Sequence, residues 1–201
     1  MKHRSMKGVV AIGLTLVLLA SSCSNIAKKR IVSEIPIKTE VLGLSLCEVS
    51  NEKSIKSALT KETSMTIHIE RERIGENTVY RAVPTPVMVS QLHYGTLSWH
   101  YMDILLNKDN IITEIRLVGS FEKIDNAKKQ YDAACRVFAN KYGNGNIHEE
   151  NQTTFWTDNS NSVGLNYTES IDLYGNNRSF CTLYYVNIAL SNEAAKSSRD
   201  V

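Results

Sequence analysis

The chain has 201 residues, with 23 Lys+Arg against 21 Asp+Glu and a formal charge of +2. No basic patch or stripe concentrates the cations, which argues against a nucleic-acid partner. The length fits one domain, or two small halves sharing a sheet, and suffices to bury a core.

The opening MKHRSMK places Lys2, Arg4 and Lys7 ahead of an unbroken apolar run from Gly8 to Ala20. A bilayer-spanning helix needs about 20 apolar residues, so this run is too short to cross comfortably. Basic start, short apolar core and the small residues Ala20, Ser21 and Ser22 together form the pattern of a secretory leader. Cys23 follows directly. The stretch Leu19-Ala20-Ser21-Ser22-Cys23 resembles the lipobox of bacterial lipoproteins in a relaxed form. That resemblance implies removal of residues 1–22, a diacylglycerol on the Cys23 sulfur and a membrane-anchored N-terminus. Ser24, standing where an aspartate would retain the protein, implies the outer membrane facing the periplasm. Residues 23–40 then read as a polar tether.

The expected domain covers 41–190. VLGLSLCEV (41–49) opens it as an apolar stretch, and residues 50–62 predict a short helix. Ser50 or Asn51 can cap that helix, Glu52 suits its positive end, and Ile55, Ala58 and Leu59 form one stripe. MTIHIERER alternates Met65, Ile67 and Ile69 with His68, Glu70 and Glu72, as in a half-buried strand. GEN turns the chain, TVYRAV returns, and PTP (84–86) interrupts, because proline is excluded from central strands.

Residues 98–103, SWHYMD, gather side chains that also serve catalysis. They lie in a predicted hairpin whose second arm alternates Ile111, Thr113, Ile115 and Leu117 with Glu114 and Arg116, the latter two facing water. His100 and Asp103 are three apart, which in a strand puts them on opposite faces. The crowd reads as a sheet strand.

The longest predicted helix runs from Phe121 to Tyr142, with Phe121, Ile124, Ala127, Tyr131, Ala134, Cys135, Phe138 and Tyr142 at three- and four-residue spacing. Gly143 ends it. TTFWTD and VGLNYTES predict one hairpin, IDLY and SFCTLYYVNIAL another. Residues 191–201 read as a loose polar tail. Helices in two blocks between runs of strands give an α+β class, an antiparallel sheet with two helices on one face. A helix followed by hairpins recurs over 41–119 and 120–190, pointing to a duplicated unit. The run MDILLNKDNIITEIRL resembles the small lipoprotein of the outer-membrane β-barrel assembly machinery, and the repeated unit resembles the β-lactamase-inhibitor-protein fold. Both imply a scaffold or binding role and transfer no functional residue.

After Cys23 the cysteines are Cys47, Cys135 and Cys181, an odd number that permits at most one internal bridge. Cys47–Cys181 is the pair to test. No paired His or Cys spacing indicates a metal site, no GxSxG marks a hydrolase nucleophile, and no cofactor is expected. Tyr94, Trp99, Tyr101, Trp156 and Tyr167 are the candidate partner or ligand face, and with Tyr184 and Tyr185 they could line a groove, although aromatics more often fill a sheet–helix interface. The expected role is a non-enzymatic envelope lipoprotein binding a protein or small ligand. An inhibitor or assembly factor of an envelope enzyme and a periplasmic hydrolase are the alternatives.

Overall fold

The structure, a computed structural model, describes residues 31–86, 90–171 and 176–197. The leader and Cys23 lie outside the described residues. Two short strands, Glu40–Val41 (β1) and Leu44–Ser45 (β2), pair with each other ahead of α1, Glu52–Thr63. Asn51 caps α1: its side chain accepts the Ser54 N–H at 3.0 Å, while Ser54 Oγ accepts the Asn51 N–H at 2.9 Å. Two of the four orphan amide groups of the helix start are thereby satisfied. Ile55 and Leu59, one turn apart, are fully buried.

Strands β3 (Thr66–Ile74) and β4 (Asn77–Thr85) follow, then a small hairpin of β5 (Leu92–Tyr94) and β6 (Leu97–Trp99). After it come β7 (Tyr101–Leu106), β8 (Ile112–Phe121) and α2 (Ile124–Tyr142). The remaining elements are β9 (Asn146–His148), β10 (Thr153–Thr157), β11 (Asn161–Ile171), β12 (Asn177–Asn187) and α3 (Ile188–Ser197). Eight strands form one antiparallel sheet in the order β3-β4-β7-β8-β12-β11-β10-β9. The class is α+β, with sheet predominating.

Three expectations need correcting. Helix α2 begins at Ile124, because Phe121 is still paired with Ser179 at the end of β8. Pro84 stays within β4, opposite Ile67; the β7 pairing has ended at Ala82, so the proline sits where β4 has a single neighbour. The expected tail is helical over Ile188–Ser197, started by Asn187, whose Oδ1 accepts the Leu190 N–H at 3.1 Å.

Residues directly opposite in a ladder share a face. Ile69, Ala82, Met102, Leu117, Leu183, Leu165 and Thr154 are successive cross-strand partners, and α2 lies over this face. Phe138 of α2 meets the Trp156 ring at 5.6 Å and the Tyr185 ring at 6.3 Å. Tyr131 hydroxyl and Thr154 Oγ1 are 2.6 Å apart. Each large apolar side chain buried here contributes roughly 1.5–3 kcal/mol. Ile55 and Leu59 of α1 belong to the same cluster.

Candidate recognition face

The other side of the sheet carries a second continuous row. Glu70 (β3) is opposite Arg81 (β4), Arg81 opposite Asp103 (β7), and Asp103 opposite Arg116 (β8). Arg116 is opposite Tyr184 (β12), then Gly164 (β11), Phe155 (β10) and Asn146 (β9) complete the row. Eight strands at a spacing of about 4.8 Å make this row roughly 35 Å long. Its first half alternates charge; its second half is aromatic and polar.

Arg81, Asp103 and Arg116 are each locked in an ion pair. Arg81 donates from Nε to Asp103 Oδ1 at 2.8 Å and from an Nη to Oδ2 at 3.0 Å. Arg116 donates to both oxygens of Glu114 at 2.6 and 3.0 Å. Such forked pairs fix both side chains in orientation as well as in charge. Burial works against the charged form of each guanidinium, but the paired carboxylate overrides it, so both arginines are held above their ordinary pKa. The Arg81 guanidinium also sits 4.6 Å from the centre of the Tyr101 ring. Burial first, and the Asp103 charge second, push the Tyr101 hydroxyl up to about 12.

The hydroxyl end of the Tyr184 ring lies over Gly164, where an added Cβ would collide with Tyr184 Cζ. Glycine at 164 is what lets the aromatic ring rest on the sheet. Helix α3 crosses one end of this same side. It packs on β8 and β12, and Asn77, on the Arg81 side of β4, donates to the Ala194 carbonyl at 3.2 Å.

Of the aromatics expected to line a partner face or groove, Tyr101 and Tyr184 lie on this side. Trp99 is fully buried, and Trp156 is 2 % exposed with its Nε1 donating to the Gly143 carbonyl at 2.8 Å. Tyr94 bonds the Tyr185 hydroxyl at 3.1 Å, and the Tyr167 ring packs on Tyr131. These four belong to, or pack against, the buried core cluster. Arg81, Asp103, Arg116 and Phe155 were missed as parts of a binding face, because the cross-strand register that aligns them with Tyr184 is set by pairing across long sequence distance. Glu114 and Arg116 were expected to face water; their side chains are only 13 % and 16 % exposed.

The expected Cys47–Cys181 bridge is not formed. Cys47 is exposed beyond β2, Cys181 is fully buried on the α2 side of β12, and both thiols are free. The histidines stand apart: His93 bonds Ser98, His100 accepts from the Ser120 N–H, and His148 stacks on Phe155. A shallow depression of about 470 Å³ between the β5–β6 hairpin and α2 is lined by Thr96, Ser98, Phe121, Lys129 and Gln130. Among the described residues no helix is long and apolar enough to cross a membrane.

Comparison with protein-family models, curated proteins and solved structures finds no match.

Proposed function

We propose that the chain is a lipid-anchored envelope protein that binds a partner protein through the sheet face opposite α2, without a catalytic step. The leader pattern and Cys23 support the anchor. One observation carries the binding face: the register-aligned row of locked Arg–carboxylate pairs running into Tyr184 and Phe155. Arginine and tyrosine are the residues that dominate interface energy, and side chains already held in place lose little entropy on binding. A row roughly 35 Å long matches a protein surface better than a small molecule.

The proposed architecture is a duplicated unit, a helix followed by four antiparallel strands, with both helices on one face. Supporting it, β3-β4-β7-β8 and β9-β10-β11-β12 are each a run of neighbours, and the last strands of the two runs, β8 and β12, pair at the centre.

A photo-crosslinking residue placed at Tyr101 or Thr182, on this face, is expected to give one discrete protein adduct in the cell envelope. Placed at Lys128, on the outer side of α2, it is expected to give none. Tyr184→Ala should weaken the adduct about tenfold, as loss of a hot-spot tyrosine does. Adducts from Lys128 equal to those from Tyr101 would overturn the assignment.

A further inference from the structure

The two ends of the sheet are built differently. Strand β9, at one end, is three residues long, and its Asn146 side chain holds the Ile31 backbone. Strand β3, at the other, runs nine residues, Thr66–Ile74, in unbroken register with β4. It has no second neighbour in the sheet, and among the described residues no backbone group outside the sheet bonds to it. From His68 onward its side chains are exposed or half-buried on both faces. A long edge with unpaired N–H and C=O groups is a template for another strand, and proteins blunt such edges with short strands, prolines, bulges or charge. Of these, β3 carries only charge.

That charge is sorted by face. Glu70 and Glu72 point to the side of the Arg81 row, Arg71 and Arg73 to the side that carries α2. Residues opposite one another across an antiparallel pair share a face, and like charges placed there are destabilising. Two copies of β3 laid edge to edge and antiparallel therefore set acid against acid and base against base. A register centred on Arg71 aligns Arg71 with itself and Glu70 with Glu72; one centred on Glu72 aligns Glu72 with itself and Arg71 with Arg73. A strand of inverse charge meets attraction at the same four positions. We propose that β3 takes up an extended segment of a partner protein as a ninth, antiparallel strand, with basic residues opposite Glu70 and Glu72 and acidic residues opposite Arg71 and Arg73. Main-chain hydrogen bonds supply the affinity of such an addition and the side-chain alternation its specificity. Repulsion of a second copy narrows the choice further. A cation opposite Glu70 also prolongs the cross-strand alternation of Glu70, Arg81, Asp103 and Arg116 by one strand. The edge is separate from the sheet-face contact proposed above, and either can fail without the other.

The test uses the full chain in detergent micelles with fluorescein-labelled peptides. The peptide VEKEKVTV, laid antiparallel along Ile74 to Ile67, opposes each of the four charges with its complement. VKKEEVTV has the same composition with its charges grouped, so like charges meet at Arg73 and Glu70. Fluorescence anisotropy at low salt is expected to show the first peptide binding about tenfold more tightly, as cross-strand charge pairs add up. Added salt should shrink the difference by screening it. Replacing both arginines, Arg71→Glu with Arg73→Glu, should reverse the preference, so that a VKKKKVTV peptide outcompetes VEKEKVTV. Hydrogen exchange should slow at β3 amides when VEKEKVTV binds. No binding of that peptide at millimolar concentration, equal binding of the two matched compositions, or slowed exchange confined to other strands each overturns the proposal. A peptide-free dimer whose β3 amides are already protected also overturns it, since a second copy then holds the edge.

Discussion

At the scale of single residues, two groups decide how the strands around SWHYMD behave. Asp103, 5 % exposed, sits opposite two arginines in neighbouring strands and is forked to Arg81. Removing one member of a buried pair leaves its partner's charge uncompensated. Asp103→Ala is expected to cost about 2–4 kcal/mol in urea unfolding, and the double variant Arg81→Met/Asp103→Leu to recover most of it. A purely exposed pair would give under about 1 kcal/mol for the single change. His100 responds to pH instead. Burial holds its pKa below the ordinary histidine value, and its Nδ1 accepts the Ser120 N–H at 3.0 Å, a bond that needs Nδ1 without a proton. A depressed folded pKa means this contribution is complete above the unfolded value of about 6.5 and is lost as pH falls through the folded one. Urea midpoints should therefore decline below about pH 6.5, and His100→Gln should flatten that limb; an unchanged slope would remove His100 from the account. Strand periodicity placed His100 and Asp103 on opposite faces of one continuous strand, but that strand is broken at His100, which lies in a bend between β6 and β7. The partners they found, Ser120 and Arg81, were not legible, because each lies on a different strand.

At the scale of elements, local chemistry was read well where it was self-contained. Asn51 caps α1 and Gly143 ends α2, since both signals act within a few residues. Boundaries set by neighbouring strands escaped: the α2 start gave way to β8 pairing through Phe121. Helix α3 was missed although Asn187 and the helix-forming run after it were present, because the polar composition of 191–201 resembles a tail. Gly164 shows how one residue shapes an element pair. Gly164→Ala forces the Tyr184 ring off β11 and is expected to cost about 1–3 kcal/mol, as overpacking does. Tyr184→Ala should remove most of that penalty in a double-mutant cycle; a penalty that persists would mean the ring is not what glycine accommodates.

At the scale of the whole molecule, the antiparallel sheet divides the work between its two sides. One side, under α2, holds the apolar rings of Trp156, Phe138 and Tyr185. The other holds the charge and aromatic row proposed to meet a partner. Composition and alternation made this α+β layering readable, whereas the identity of the outward row depended on register, which no local pattern encodes. The proposed function also requires that the domain be delivered to the envelope and held there, and Cys23 carries that requirement. Labelling cells with a radioactive fatty acid and isolating the chain tests it most directly. The account predicts label on a mature chain beginning at Cys23, and an unlabelled Cys23→Ala variant that leaves the membrane fraction. Label retained by Cys23→Ala, or a native chain that keeps residues 1–22 and carries no acyl group, would contradict it.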